Sequence, residues 1–303
     1  MGQRRYFAGA VAGAMFAFLT SCGSPTPPEA PPAVPEPLAT DRWTYVEVDS
    51  TKAMWGDFDA PEWLRYFGLA AADLNGDGLL DIVTGRNAYL SPGASLTGTW
   101  QKVDLGENVD ANLVYQPTGS KTPFILAERL PDVVRFAVNE QGKIGAGEVV
   151  AQVPPTGHHN GQGYKTADLI QGKGDEEIIY ASQGGLYVMD PTQAAPWPVI
   201  LVGKDASDEG FGVADMDEDG DLDLISGYRV PGADAEVPTV VVWFENPGTL
   251  TPNWPRHDVG RTINATDRVE AADLDGDGRP DVVVAEERYP GLEPAPTDVP
   301  DNE

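Results

Sequence analysis

Short apolar runs, separated by polar turns that are rich in glycine and proline, recur along the chain from about residue 66 to about residue 285. The runs are dominated by valine, isoleucine and leucine, and no segment shows a sustained period of 3.6 residues. Runs of this length and composition predict β-strands, and the missing helical period disfavours a helical solenoid. The sequence therefore predicts an all-β fold.

Four segments of the chain align with one another, and each consists of a short strand, an acidic loop and a second strand. The first aspartates of these segments are Asp73, Asp168, Asp215 and Asp273. The first two are 95 residues apart, about twice the 47 residues that separate the second from the third. One degenerate unit is therefore expected in the longer gap. Residues 112–116 and 124–128 have the pattern of its paired strands but lack the acidic loop.

Further strands complete these units. Outer strands are predicted at residues 100–103, 148–151, 197–200 and 256–259, and an intermediate strand at residues 239–245. Four short strands in a unit of about 45 residues are typical of a propeller blade. The sequence predicts a β-propeller of about five four-stranded blades, which begin near residues 66, 109, 163, 211 and 268. The last blade is short, so it is either incomplete or closed by an N-terminal strand at residues 43–48.

The amino-terminal segment, residues 1–21, has the pattern of a signal peptide. Arg4 and Arg5 precede an apolar stretch of 12 residues, which is too short to cross a hydrocarbon core of about 30 Å. The sequence of residues 19–22, Leu-Thr-Ser-Cys, resembles the bacterial lipobox, in which the cysteine becomes lipidated. Cys22 is the only cysteine, and we expect it to carry the membrane anchor. An ordinary signal peptide with an incidental cysteine is the alternative, and the arginine pair leaves general and twin-arginine export both open.

The rest of the chain divides by composition. Residues 22–40 are crowded with proline and are predicted to form an extended tether behind the lipidated cysteine. Residues 41–289 are predicted to be the propeller, and residues 290–303 a disordered acidic tail. The predicted location is the bacterial cell envelope, facing the periplasm or the exterior. Gly23 after the cysteine favours the outer membrane if the source is Gram-negative.

The net charge of −28 arises from 48 acidic and 20 basic residues. A surface of this charge repels phosphate backbones, so nucleic-acid binding is not expected. Part of the acidity instead lies in three loops that share the spacing D-x-[DN]-x-D-G-x-x-D. Their predicted metal ligands are Asp73, Asn75, Asp77 and Asp81; Asp215, Asp217, Asp219 and Asp223; and Asp273, Asp275, Asp277 and Asp281.

Alternating oxygen side chains in a tight loop converge on one point, and the glycine at the sixth position permits the sharp reversal. Such a ligand set suits a hard cation with six to eight oxygen ligands, and Ca²⁺ better than Mg²⁺. We therefore expect about three calcium sites, with a structural role favoured over direct ligand coordination. The loop at Asp168 departs from the pattern because it contains Lys173, whose charge would compete with a cation, so this blade is predicted to be metal-free. The second blade has no ligands.

These features resemble the FG-GAP/VCBS repeats of integrin-like propellers and bacterial surface proteins. Phe67-Gly68 and Phe211-Gly212 match the phenylalanine-glycine opening, and residues 243–247 match a strand ending that is common in bacterial versions. The later Gly-Ala-Pro element is not present. The resemblance implies calcium in the hairpin loop of each matching blade. It implies no particular function, because propellers support binding and catalysis alike.

Candidate catalytic residues are few. His158, His159 and Tyr164 lie close together just before an inner strand and could form an acid–base site. A glycine-rich surface loop is the simpler interpretation. The chain has no nucleophile elbow and no Walker loop. The favoured hypothesis is a non-catalytic, membrane-anchored module that binds a glycan or a protein. A carbohydrate-active lyase or dehydratase is the alternative, and a purely structural envelope component is the third.

Overall fold

The computed structural model of the protein describes residues 43–51, 68–106, 109–129, 131–155, 163–228, 240–262 and 264–287. The chain divides into two compact units, Met1–Tyr45 and Val46–Glu303. In the first unit, residues 43–45 form neither helix nor strand, and the side chains of Trp43 and Tyr45 are exposed. In its described ranges, the second unit contains 18 strands and no helix. No helix within the described ranges is long and apolar enough to cross a membrane.

The strands form five antiparallel sheets, and the order within each sheet follows the chain. The first blade contains β1 (Leu69–Ala72), β2 (Asp81–Thr84), β3 (Asn87–Leu90) and β4 (Gln101–Asp104). The second contains β5 (Asp110–Tyr115), β6 (Phe124–Arg129), β7 (Asp132–Val138) and β8 (Ile144–Gln152). The third contains β9 (Gly163–Ala167), β10 (Glu177–Ser182), β11 (Gly185–Met189) and β12 (Val199–Lys204). The fourth contains β13 (Gly212–Ala214), β14 (Asp223–Tyr228), β15 (Val240–Phe244) and β16 (Arg256–Arg261), and the last contains β17 (Ala265–Ala272) and β18 (Asp281–Glu287).

This succession of four-stranded sheets confirms the predicted β-propeller. The blades begin within about three residues of the predicted positions, and the degenerate second unit is a complete blade. The last blade has two strands in the described part of the chain. Residues 43–51 form no strand there, and Asp49 instead accepts hydrogen bonds from Tyr89 Oη at 2.8 Å and Lys102 Nζ at 2.6 Å, both in the first blade. The predicted strand at residues 43–48 is therefore wrong, and it does not close the last blade.

The hydrophobic core lies between consecutive blades rather than at one centre. Successive side chains of a strand point to opposite faces of its sheet. In β10, Ile178 and Tyr180 pack against the second blade, whereas Ile179 and Ala181 pack against the fourth. Both faces of a middle blade are thus buried, which explains why its strands are continuous apolar runs and not alternating ones. The smallest cluster is the one between the last two blades, around Ile225, Val241 and Val269.

Glycines at the starts of the inner strands allow the blades to approach closely. A Cβ atom at Gly68 would lie 2.3 Å from the carbonyl oxygen of Ala111 in the next blade. A Cβ atom at Gly163 would lie 2.1 Å from the carbonyl oxygen of Glu209. Any larger residue would push the blades apart at these points. The glycine of the phenylalanine-glycine opening at residues 67–68 therefore has a packing role in the first blade.

Candidate metal-binding loops

The three acidic loops are the hairpins between the first two strands of the first, fourth and last blades. In each loop the first aspartate accepts hydrogen bonds from the amides that follow it. Asp73 accepts from Gly76 at 2.7 Å, Asp77 at 3.1 Å and Gly78 at 2.8 Å, and Asp273 makes the same three bonds within 0.1 Å. These bonds wind the loop around its own carboxylate, so the loop has a defined geometry before any ligand binds.

The glycine at the sixth position has the left-handed conformation that this winding requires. The φ angles are +83° at Gly78, +100° at Gly220 and +90° at Gly278. A residue with a Cβ atom adopts such angles only at a cost of about 1–2 kcal/mol. The glycine predicted to permit the chain reversal therefore does so in all three loops.

The ninth residue of the loop begins the second strand and ties the hairpin together. Asp81 Oδ2 accepts from the amide of Leu74 at 2.9 Å, and its Oδ1 accepts from the amide of Ser91 at 2.8 Å. Asp223 makes the equivalent bonds to the amides of Met216 and Asn246, both at 2.8 Å. Burial raises the pKa of Asp81 above its ordinary value and that of Asp223 to about 6. A nearby cation would oppose this effect, because it favours the ionised carboxylate.

The structure brings six of the twelve predicted ligands together, in two groups of three. One carboxylate oxygen from each of Asp215, Asp217 and Asp223 lies within 4.8 Å of the others, and the same holds for Asp273, Asp275 and Asp281. Oxygens at this separation can share one ion at the 2.3–2.6 Å ligand distances of calcium. The aspartate at the fifth position lies outside both triads. Its Oδ1 accepts from the amide two residues ahead, at 2.9 Å in Asp77, Asp219 and Asp277 alike.

The third-blade loop contains a side-chain cation instead. Lys173 Nζ lies 2.6 Å from Glu177 Oε1 and 2.5 Å from Asp190 Oδ1, and the Glu177 side chain is fully buried. Glu177 takes the place of the ninth aspartate, since its Oε2 accepts from the amide of Leu169 at 2.9 Å. Burial alone would lower the pKa of Lys173, but its hydrogen bonds to Asp190 and Glu177 raise it. The lysine that was predicted to compete with a cation thus forms ion pairs with Glu177, at the end of the loop, and with Asp190, which follows β11.

The second-blade loop has no acidic ligand, as the sequence indicates. Hydrogen bonds join it to the loop of the third blade. The amide of Thr118 donates to Asp175 Oδ1 at 2.6 Å, and its hydroxyl donates to the carbonyl of Gly174. Tyr115 Oη donates to the carbonyl of Glu176 at 2.9 Å. A cleft of about 400 Å³ lies between these two blades and is lined by Val114, Tyr115, Gln116, Thr118, Thr166, Gly174, Asp175 and Glu176.

The candidate catalytic residues are only partly described. His158 and His159 lie outside the described residues. Tyr164 lies on β9, where its side chain is partly buried and its phenolic oxygen accepts a hydrogen bond from the amide of Leu69. Burial raises the pKa of Tyr164, which makes it a weaker source of a phenolate base. Cys22 also lies outside the described residues.

Three residues near the loops were not among the site residues predicted from the sequence. Asp190 and Glu245 follow third strands, next to the ninth residues of their loops, and Arg279 forms an ion pair with Asp277 at 2.6 Å. The pairing register of the strands places Asp190 and Glu245 there, because each lies one residue beyond a cross-strand pair. These pairs are Ile178 with Met189 and Leu224 with Phe244. Arg279 could have been noticed from its place at the seventh position of an otherwise acidic loop.

Comparison with known proteins finds a similarity to a family of repeats in one part of the chain. Residues 232–284 match the model of the FG-GAP-like repeat, which covers the last acidic loop. No curated protein matches the sequence. Among solved structures, a lectin of Agrocybe aegerita, described by its specific recognition of non-reducing terminal N-acetylglucosamine, is 21% identical with a TM-score of 0.43. The match covers 63% of this chain and 51% of the lectin, so the chain spans about half the length of that protein. The order of its sheets makes the protein a β-propeller, and its residues 232–284 are similar to the FG-GAP-like repeat.

Proposed function

We propose that this protein is a calcium-stabilised binding module, anchored in the cell envelope through Cys22, that recognises a glycan or a protein. The proposal that calcium binds rests on the convergence of three carboxylates in each of two loops. The loop of the first blade has the same hydrogen-bonded hairpin geometry as the loop of the last blade. Calcium would lie among these oxygens and neutralise their mutual repulsion. The bound ion would supply charge and hairpin stability, and no chemical step is assigned to it.

Unfolding in calcium and in chelator tests this role. At a free calcium concentration about 100-fold above Kd, each site adds about 2.7 kcal/mol, so three sites would add roughly 8 kcal/mol. Thermal unfolding of the full chain should therefore shift strongly between calcium and EDTA. Asp217→Asn should lose part of that shift, whereas Asp258→Asn, a control on the exposed strand β16, should keep it all. An equal melting temperature in calcium and EDTA would contradict the proposal.

The ligand-binding part is supported by the cleft between the second and third blades. Hydrogen bonds from Thr118 and Tyr115 join its two walls, so the cleft is preformed. Its lining includes the exposed side chains of Gln116 and Glu176 and the partly buried Thr166. Preformed concave sites with a few polar groups are where proteins usually bind small ligands or parts of larger ones.

A binding panel tests this part. The full chain would be passed over immobilised polysaccharides, glycans and envelope proteins, with the ligands analysed for cleavage afterwards. Retention without cleavage is expected, and the exposed-residue variant Gln116→Ala with Glu176→Ala should reduce it. Cleavage products would contradict a non-catalytic module and favour the lyase or dehydratase alternative. Retention that the variant leaves unchanged would exclude this cleft as the binding site.

The membrane anchor has its own test. Metabolic labelling of cells with a fatty-acid analogue should label the wild-type protein and not Cys22→Ser. The variant should also move from the membrane fraction to the soluble envelope fraction, because lasting attachment needs the acyl chains. A labelled Cys22→Ser protein, or an unlabelled wild type, would contradict lipid anchoring.

A further inference from the structure

The last blade has a strand edge that is paired on one side only. In each of the first four blades the second strand pairs with a strand on either side, whereas β18 pairs only with β17 in the described part of the chain. Such an edge presents a row of backbone amides and carbonyls that can pair with an added strand. The seven residues of β18 include no proline, the residue that would prevent this pairing.

The contact between the third and fourth blades shows what a third strand covers. The strand pairing skips Val202 in the outermost strand β12, so a bulge forms there, and Gly203 follows it. Val202 is fully buried in the cluster that contains Phe244 and Trp254 of the next blade. The amide of Trp254 donates to the carbonyl oxygen of Val202 at 2.8 Å. A Cβ atom at Gly203 would lie 3.0 Å from the Phe244 ring. Two aromatic side chains of the next blade thus cover this bulge.

The equivalent bulge of the fourth blade is uncovered. In β16 the pairing skips Val259, and Gly260 follows it. Val259 is 45% exposed, and all six residues of β16 are exposed. In the described part of the chain, only the chain neighbours of Gly260 lie within 4 Å of a Cβ atom built there. The last blade covers the inner part of this face alone, around Ile225, Val241 and Val269.

The chain also has two exposed aromatic side chains at alternate positions. Residues 43–48 have the sequence Trp-Thr-Tyr-Val-Glu-Val and form no strand. The side chains of Trp43 and Tyr45 are both 86% exposed. In an extended chain, side chains two residues apart point to the same face. The third strand of the fourth blade has this arrangement, since Val242 and Phe244 both pack against the third blade.

The single chain leaves both surfaces exposed. Asp49, just after the aromatic segment, is held on the first blade by its hydrogen bonds from Tyr89 and Lys102. The aromatic side chains before it stay exposed, and so does the bulge at Val259. A second copy of the chain can cover both surfaces at once, because exchange of an identical element between two chains is a low-cost route to a dimer.

We propose that residues 43–48 of a second copy add to β18 as the third strand of the last blade. Trp43 and Tyr45 of the second copy then lie over the bulge at Val259, and the contact needs no bound calcium. The exchange is reciprocal, so it buries four aromatic side chains of about 150–250 Å² each. With the faces that they cover, the buried area is about 1,200–2,000 Å², the size of a standard protein interface. The net charge of −28 on each copy opposes association, so the dimer tightens as salt is added.

Sedimentation equilibrium of the full chain tests the exchange, with Cys22→Ser included so that no lipid contributes to association. A monomer–dimer equilibrium is expected at about 0.5 M salt, where the repulsion is screened. Gly260→Glu should raise the dissociation constant by about 30-fold or more, because it places a charged side chain in the contact. Gly145→Glu is the matched control on the outermost strand of the second blade, where a Cβ atom would meet only the carbonyl oxygen of Ala137, at 3.4 Å. Thermal unfolding of both variants shows whether they are folded.

A mixing experiment identifies the source of the added strand. The double variant Trp43→Ser with Tyr45→Ser should be monomeric at concentrations where the wild type dimerises, and so should Gly260→Glu. An equimolar mixture of the two should form a dimer, weaker than the wild type, because one of its two exchanges is intact. A mixture that stays monomeric, a wild type that is monomeric at every concentration, or a dimer that persists in folded Gly260→Glu would each overturn the inference. All three results would leave the proposed calcium function intact.

Discussion

Replacing Lys173 tests whether a side-chain cation stabilises the third blade. Lys173→Gln leaves Glu177, which is fully buried, and Asp190, whose side chain is 12% exposed, without a positive partner. Removing one partner of a fully buried ion pair costs about 3–5 kcal/mol. The Lys173 side chain is 21% exposed, so water can replace part of the interaction, and a loss of about 2–3 kcal/mol is expected here.

The assay is thermal unfolding in both calcium and EDTA. For a domain of this size, a loss of that magnitude lowers the melting temperature by about 4–12 °C. The loss should be the same in both solutions, because a chelator cannot remove a covalently attached ammonium group. Lys165→Gln is the control, since Lys165 forms an exposed pair with Glu270 at 2.5 Å and should cost less than about 1 kcal/mol.

A double-mutant cycle with Asp190→Asn separates the pair from other effects. The two substitutions together should cost less than the sum of the single ones, by about 0.5–3 kcal/mol, because the residues are in direct contact. Strict additivity would refute the reasoning. So would a loss in Lys173→Gln that is no larger than in the Lys165→Gln control.

Three further predictions concern the stability of the protein in acid, the packing of its core and its lack of binding to DNA. Burial raises the pKa of Asp190, but its hydrogen bonds from Lys173, Thr192 and Gln193 outweigh burial and lower the pKa from 3.8 to about 2. Its stabilising contribution is therefore present above about pH 4 and is lost as the pH falls towards 2, so acid unfolding monitored by fluorescence should begin at a higher pH in Asp190→Asn. Phe211→Ala, which empties a fully buried position between the third and fourth blades, should lower the free energy of unfolding by about 3–5 kcal/mol in a denaturant titration, and a loss below about 1 kcal/mol would contradict the inter-blade core. With a net charge of −28, the full chain should show no retention on immobilised DNA at about 0.15 M salt, and retention there would contradict the electrostatic exclusion of nucleic acids.

The order of strands could be predicted from the sequence because each blade is built from neighbouring hairpins. The acidic spacing also marks the loops, since the glycine at the sixth position and the aspartates around it lie within nine residues. The strands of the second blade could be predicted without an acidic loop. Both faces of this sheet are packed against other blades, so strands such as β6 are continuous apolar runs.

Contacts between distant strands could not be predicted in this way. Asp190 lies 17 residues after Lys173, and Glu245 lies 22 residues after Asp223, so their proximity depends on the pairing register of the second and third strands. That register runs without a bulge in both blades, and it is set by the packing of the strands between neighbouring blades. The ion pair between Arg279 and Asp277 depends on side-chain conformation, which the spacing of residues does not specify.

Counting bound calcium tests the central claim most directly. The full chain would be dialysed to equilibrium against buffered calcium, and the calcium and protein contents measured by atomic emission and absorbance. The account predicts about three ions per chain, and one fewer for each of Asp217→Asn and Asp275→Asn. A wild-type protein that retains no calcium at millimolar free concentration, or variants that retain as much as the wild type, would contradict it.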